Sequence, residues 1–153
     1  MDGEGLVYVA KADSTQRLRV LSLIGQRAAL HASSVGKVWL ASLPLDRALD
    51  IALKTKLTAF TPRTITTVER LRSELKRVRK QGYAQVIDEF LPGANSIGVP
   101  IRQSDESGVC GAVLLSGPSI RLPQERLLSF LPDLQRVAKE LHTIGMIAAH
   151  SKW

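Results

Sequence analysis

Two apolar segments in the second half of the chain limit the possible fold more than any other feature. Residues 96–101 and 109–116 are rich in valine, isoleucine and leucine, and the short polar segment 104–108 lies between them. Short segments of this composition joined by a polar turn with glycine predict an antiparallel hairpin. Residues 83–87 have the same character and precede a loop over residues 88–95. The chain is therefore expected to fold around an antiparallel sheet.

Another pair of apolar segments lies near the start of the chain. Residues 6–11 and 18–24 carry valine, leucine and isoleucine, and residues 12–16 between them are mostly polar. This pattern predicts a second hairpin. Because hairpins at both ends of the chain are separated by helical segments, the predicted class is α+β, an antiparallel sheet flanked by helices.

Local end signals predict the helices. A short helix is expected over residues 35–43, and a second begins at Pro44, a residue tolerated in the first turn, and ends near Lys56. Residues 66–69 match a capping box that begins a third helix, and Gly82 supplies its left-handed end.

The last predicted helix is long. It begins at Pro123, its leucines keep helical spacing, and Pro132 is expected to kink it before a frayed tail over residues 148–153.

Composition excludes several classes of protein. A chain of 153 residues is of the size of one domain, and no segment approaches the roughly 20 apolar residues of a membrane span. The first residues lack the basic and apolar regions of a signal peptide, so a cytoplasmic location is expected. The one cysteine, Cys110, allows neither an internal disulfide nor a thiolate metal site, and it is interpreted as a small buried side chain.

The net charge of +7 does not by itself indicate a nucleic-acid surface. The densest basic segment, residues 70–80, has apolar side chains every three or four positions, which is typical of an amphipathic helix with a solvated face. It lacks the aromatic residues that single-strand binders place between their basic groups. A solvated helix is therefore favoured over a contact with nucleic acid.

The order of several motifs resembles the effector-binding domain of IclR-type bacterial transcriptional regulators, and the resemblance covers nearly the whole chain. The segments that carry it are residues 30–37, 61–65, 75–83, 88–89, 92–93, 96–101 and 115–118. It implies a GAF-like or profilin-like sheet of about six antiparallel strands with helices on both sides. It further implies a non-catalytic sensor of small molecules that associates with itself and needs no cofactor.

The resemblance also bears on domain organisation. Regulators of this family place a winged helix-turn-helix before the effector domain, whereas residues 1–153 are expected to form the effector domain alone. Contact with DNA is then expected only through that other domain.

The turn formed by Ser33, Ser34, Val35 and Gly36 precedes the first predicted helix. Amides in the first turn of a helix have no internal partner, and the helix dipole is positive there, so this turn is a candidate seat for a ligand carboxylate. The alternative is that the serines only cap the helix. Lys37 follows the turn, but the glycine spacing of a nucleotide-binding loop is missing, which excludes that kind of site.

By resemblance, further walls of a ligand pocket come from the first segments and from three strands. These residues are Val20, Ala28, Val86, Asp88, Ala94, Ser96, Leu114 and Ser116. Small and apolar side chains with a few hydroxyls suit a compact organic acid.

Two other functions are compatible with the sequence. A small hydrolase or transferase would use Asp88, Glu89 or His31, although nothing in the sequence places a nucleophile beside a base. His31 is more simply explained as a side chain that binds a backbone carbonyl, and Trp39 and Phe60 as core or interface residues. A pure oligomerisation domain would keep the fold without responding to a ligand.

Overall fold

In the part of the chain that the structure describes, three strands form one sheet and five helices lie on its two faces. The structure, a computed structural model, describes residues 5–20, 22–102 and 108–150, of which residues 144–150 are described by their backbone alone. The helices are α1 (Ser34–Ser42), α2 (Leu45–Lys54), α3 (Val68–Gln81), α4 (Gln124–Ser129) and α5 (Leu131–His150). The strands are β1 (Ala84–Ile87), β2 (Ala94–Arg102) and β3 (Val109–Pro118).

The sheet has the order β1-β2-β3, and both pairs are antiparallel, as predicted. Alternation along the strands sends two sets of side chains to opposite faces. Ile97 and Val99 of β2 pack with α4 and α5, whereas Ala84 of β1 packs with α1, α2 and α3. Both faces of the sheet are therefore covered, which explains why the strands are apolar almost throughout.

The described part of the chain contains three strands, so the expectation of about six was wrong. The first segment pairs with residues 26–28 through one isolated bridge, between Val7 and Arg27, instead of with residues 18–24. Val9 is 81% exposed and Leu18 is 62% exposed. Because no layer covers these side chains in the described chain, their β-type composition is not supported by burial, and the predicted hairpin does not form. Residues 103–107, which hold most of the other predicted turn, lie outside the described residues.

Helix ends follow local chemistry with small corrections. α3 begins one residue later than the capping box predicts, because Thr67, not Thr66, is the cap, and its hydroxyl accepts from the amide of Arg70. Gly82 ends α3 with φ +81°, as predicted. Pro44 precedes the first residue of α2. Leu40, Leu71 and Leu75 are fully buried where α1 and α3 meet.

The predicted long final helix is two helices. α4 ends at Ser129, and the amide of Phe130 bonds back to Leu127 before α5 begins at Leu131. Pro132 lacks an amide hydrogen and is tolerated only in a first turn, so it marks the start of a new helix instead of a kink within one. No helix in the described part of the chain is both long and apolar enough to cross a membrane.

Cys110 is exposed, so its interpretation as a buried side chain was wrong. The register pairs Ile101 with Gly111 and Arg102 with Val109, which leaves Cys110 as the extra residue of a bulge. A bulge interrupts the alternation of side chains that the sequence pattern assumes. The thiol instead lies 3.3 Å from the carbonyl oxygen of Ile101.

Candidate functional site

A cavity of about 80 Å³ lies where the start of α1 meets the sheet. Its walls come from the first segment of the chain, the turn before α1, the loop between β1 and β2, and all three strands. The lining residues are Tyr8, Val20, Ser22, Gln26, Arg27, Ala28, Ala29, Ala32, Ser33, Ser34, Val86, Phe90, Leu91, Ala94, Asn95, Ser96, Leu114 and Ser116. Half of these residues are apolar, and most of the polar ones are small serines.

The structure brings nine of the twelve predicted site residues together around this cavity. They are Val20, Ala28, Ser33, Ser34, Val86, Ala94, Ser96, Leu114 and Ser116. They come from parts of the chain up to 96 residues apart, so the fold and not a local motif assembles them. Val35, Gly36 and Asp88 do not line it.

The two serines before α1 differ in role. Ser33 is the cap, and its hydroxyl accepts from the amide of Gly36 at 3.1 Å. The hydroxyl of Ser34 accepts a hydrogen bond from the hydroxyl of Ser96 at 3.0 Å, directly in the cavity wall. Capping therefore explains Ser33, whereas Ser34, which is 1% exposed, and Ser96 form a bonded pair of hydroxyls in the wall of the cavity.

Gly36 was predicted as part of the seat for a ligand carboxylate, and the structure gives it another role. A Cβ added at this position would lie 2.4 Å from the carbonyl oxygen of Leu30 and 2.5 Å from its Cα. Gly36 therefore allows α1 to pack against the turn that precedes it. Val35 is buried in the protein interior outside the cavity wall.

Asp88 closes the loop between β1 and β2 instead of facing the cavity. Its carboxylate accepts from the amide of Gly93 at 2.8 Å, and its own amide donates to the side chain of Asn95 at 3.1 Å. Its φ of +56° lies in the left-handed region, which aspartate tolerates better than most residues. The side chain is thus used in shaping the loop that carries Phe90 and Leu91.

Nine wall residues were not predicted from the sequence: Tyr8, Ser22, Gln26, Arg27, Ala29, Ala32, Phe90, Leu91 and Asn95. Phe90 and Leu91 carried a signal, because two large apolar side chains in an otherwise polar loop need a surface to contact. In the structure, Phe90 is 39% exposed and Leu91 is 47% exposed. Arg27 carried none, since a single arginine next to a short apolar segment is common.

A buried ion cluster lies behind the cavity. The side chain of Lys37 is fully buried, and its Nζ lies 2.6 and 2.7 Å from the two carboxylate oxygens of Glu89 and 3.3 Å from Glu74. Arg77 in turn donates to Glu74 at 2.8 and 2.9 Å. Lys37 is therefore committed to internal carboxylates, which agrees with the exclusion of a nucleotide site.

The two glutamates have opposite pKa shifts. Burial raises the pKa of Glu89 above its ordinary value, although the charge of Lys37 and its hydrogen bond oppose the shift. Burial also acts to raise the pKa of Glu74, but the hydrogen bonds and charges of Arg77 and Lys37 outweigh it, so that pKa is lowered. The carboxylate with two cationic partners is the more firmly ionised.

His31 connects the turn before α1 to a neighbouring loop, as predicted. Its Nε2 donates to the carbonyl oxygen of Thr58 at 2.9 Å. Its ring stacks on Phe60 with centroids 5.8 Å apart, and Phe60 meets Phe90 edge-on at 4.9 Å. Burial lowers the pKa of His31, the bond to Thr58 opposes this shift, and the charge of Lys37 adds to it.

These contacts predict how acid affects stability through His31. Because the folded state has the lower pKa, its contribution is present above the pKa of about 6.5 of the unfolded chain and is lost as pH falls through the folded pKa. We expect the free energy of unfolding of the native chain to fall more between about pH 7.5 and about pH 5 than that of His31→Gln. Urea unfolding across this range measures both. Equal losses would show that protonation of other groups dominates.

The three residues considered for an enzymatic role each make a structural contact instead. Asp88 binds Gly93, Glu89 binds Lys37, and His31 binds Thr58. Within the described ranges, no three histidine, cysteine, aspartate or glutamate side chains form a group that would hold a metal ion.

Comparison with known proteins gives a consistent result. The family model described as bacterial transcriptional regulator IclR C-terminal matches residues 1–143. The chain is 36% identical over 142 residues to the HTH-type transcriptional regulator KdgR of Escherichia coli K12, covering 92% of this chain and 53% of that protein. It is 31% identical over 149 residues to the transcriptional repressor AllR of the same strain, covering 97% and 55%. It thus spans about half the length of these relatives.

Solved structures agree in fold. A transcriptional regulator from Rhodococcus superposes with a TM-score of 0.84 at 32% identity, covering 94% of this chain and 58% of that one. The inducer-binding domain of a PobR double mutant from Acinetobacter, in complex with 3-hydroxybenzoic acid, superposes with a TM-score of 0.80 at 28% identity, covering 93% and 83%. The curated relatives are transcriptional regulators and repressors, in agreement with the prediction that the chain is not an enzyme.

Proposed function

The chain belongs to the IclR family of bacterial transcriptional regulators, as an effector-binding domain, and on that premise we propose that it senses a small organic acid in the cavity beside α1. The acid favours one arrangement of a longer, cytoplasmic regulator, which contacts DNA through a winged helix-turn-helix domain. A ligand shifts such an equilibrium only by its difference in affinity for the two arrangements.

The observation that carries the proposal is the convergence of several polar groups on a small cavity, half of whose wall residues are apolar. The hydroxyls of Ser34 and Ser96 meet at its wall, and Arg27 lies on the same lining. A guanidinium and two hydroxyls can bind one carboxylate, while Val86 and Leu114 contact its carbon atoms. The start of α1 adds the favourable end of a helix dipole.

The volume of the cavity bears on the size of the acid that it can bind. An apolar cavity of roughly 150 Å³ accepts benzene, and this one measures about 80 Å³. A short hydroxy or keto acid fits this volume. A longer or aromatic acid, like that in the PobR complex, would extend into the adjoining groove of about 570 Å³, which shares Tyr8, Val20, Ser22, Leu114 and Ser116 with the cavity.

The test is thermal unfolding of the chain against three classes of acid: short hydroxy acids, keto acids and aromatic acids with 3-hydroxybenzoate among them. At about 100 times its dissociation constant, a ligand adds about 2.7 kcal/mol, or roughly 5–10 °C in melting temperature. The variant Ala94→Leu fills the cavity and is expected to abolish the shift. Ala59→Leu makes the same change at an exposed site and is expected to keep it. No shift with any class would contradict the proposal.

A second property is supported by the exposed apolar side chains of the first segment. Val9, Leu18, Leu23 and Ile24 are each more than 60% exposed. We propose that this segment takes part in self-association, in a dimer or tetramer. Light scattering during size-exclusion chromatography measures the mass of the native chain and of Leu23→Ser. A stable oligomer that shows no ligand response would favour a pure oligomerisation domain.

A further inference from the structure

A groove, separate from the cavity, lies between β1 and α3 on the opposite side of β1. It measures about 490 Å³, and it shares no lining residue with the cavity. Its walls are Pro62, Arg63, Ile65, Arg70, Glu74, Arg77, Gln85, Ile87, Glu89 and Gln124. Alternation explains the separation, because Val86 lies at the cavity while Gln85 and Ile87 lie in the groove.

Positive charge exceeds negative charge around this groove. Three arginines and two glutamates line it, and the Nζ of Lys37 reaches Glu89 from the core side. Lys37 and Arg77 already bind the two carboxylates. The excess therefore resides in the other two arginines, Arg63 and Arg70. Within the described ranges, neither guanidinium lies within 4.0 Å of a carboxylate.

Two features organise the walls of the groove, in which Arg63 and Arg70 are exposed. Arg70, Glu74 and Arg77 recur at intervals of four and three residues, so α3 turns one face toward the groove. The side-chain amide of Gln85, which is buried, donates to the carbonyl oxygen of Gln124 and fixes the floor.

Arginine binds carboxylate and phosphate through paired N–H groups. Burial raises the pKa of the Glu89 carboxyl, and the charge of Arg70 opposes this shift at longer range. The N–H groups of Arg70 and Arg63 nevertheless form no close ion pair within the described residues, so the two side chains can serve as a clamp.

We propose that this groove is a second ligand site, which binds a compact dianion, a dicarboxylate or a phosphate, between Arg63 and Arg70. Two negative charges balance the two cations that have no ion-pair partner among the described residues. A monocarboxylate leaves one of them uncompensated and binds less tightly.

The groove and the cavity share supporting elements, so the two sites can influence each other. Helix α1 carries Ser34 in the cavity wall and Lys37 in the ion cluster. Glu89 lines the groove, and the next residue, Phe90, lines the cavity. A dianion that draws the arginines inward acts on the loop that also shapes the first site.

The probes are inorganic phosphate and succinate, titrated into the purified chain at constant ionic strength, with sodium chloride as the screening control. Isothermal calorimetry measures the dissociation constant. We expect at least one of the two dianions to bind with 1:1 stoichiometry. The dissociation constant of acetate is expected to be at least about tenfold higher. The dianion that binds more tightly identifies the ligand class as a phosphate or a dicarboxylate.

The variants Arg63→Gln and Arg70→Gln are each expected to weaken binding about tenfold, the loss of one charge-assisted contact. Arg72→Gln removes the same charge from α3 but outside the groove, and is expected to change binding less than about twofold. Heat release with chloride alone, or equal losses in all three variants, would overturn the proposal. Ala94→Leu, which blocks the cavity, is expected to leave phosphate or succinate binding intact and so separates the two sites.

Discussion

Replacing Glu89 by alanine is expected to lower the free energy of unfolding by about 3 kcal/mol. The substitution leaves Lys37, which is fully buried, without its closest carboxylate, and breaking a buried ion pair on one side costs about 3–5 kcal/mol. Glu74 remains 3.3 Å from the amine and compensates part of the charge, so the lower end of this range is expected. Urea denaturation with a linear extrapolation measures the change.

Two controls decide whether the charge is the cause. The double variant Lys37→Met with Glu89→Ala removes both charges and is expected to recover most of the loss, since apolar replacements of buried pairs are often neutral. Glu140→Ala breaks the exposed pair with Arg136 and is expected to leave stability unchanged. If the double variant is no more stable than Glu89→Ala alone, lost packing explains the effect and buried charge does not.

Lys37 and Glu89 also show what sequence reasoning misses. They lie 52 residues apart, and no periodicity connects them. In the sequence, Lys37 follows a turn and Glu89 follows a strand, and each alone is compatible with solvent. Only the packing of α1 against the sheet brings the amine to the carboxylate. Interactions of this kind depend on the whole fold and leave no local signal.

Sequence patterns predicted the elements that local chemistry controls. The three strands were expected because their segments are apolar and are joined by polar loops. α3 was expected because residues 66–69 match a capping box and Gly82 is suited to a helix end, although Thr67 and not Thr66 is the cap. The first hairpin was not predictable in the same way. Its segments have β-type composition, but the pairing of residues 6–8 with residues 25–28 depends on tertiary contacts.

The lining of the cavity was predictable only in part. Family resemblance named seven of its lining residues, because the order of motifs determines which strands face the start of α1, and the chemistry of a helix start named Ser33 and Ser34. It failed at Gly36 and Asp88, where the residue type was interpreted as serving a ligand. The structure uses both for backbone geometry: close packing at Gly36 and a left-handed turn at Asp88. Unusual backbone requirements therefore explain glycine and aspartate near a site as well as ligand contacts do.

Gly36 allows the sharpest test of that distinction. By helix propensity alone, Gly36→Ala within α1 would stabilise the chain by about 1 kcal/mol. The structure predicts the opposite sign, because the new Cβ would lie 2.4 Å from a backbone oxygen of Leu30, and backbone cannot give way as a side chain can. We expect a loss of about 3 kcal/mol in the free energy of unfolding, at the upper end of the cost of overpacking.

Gly111→Ala is the matched control, since a Cβ there meets only the Cδ1 of Ile101 at 3.6 Å, an ordinary contact. Its expected change is within about 0.5 kcal/mol. Both variants are measured by urea unfolding without ligand, so that cavity occupancy cannot contribute. A stable Gly36→Ala variant that has lost its response to organic acids would restore Gly36 as a ligand contact. A destabilised variant identifies the glycine as the residue that lets α1 pack against the backbone of Leu30.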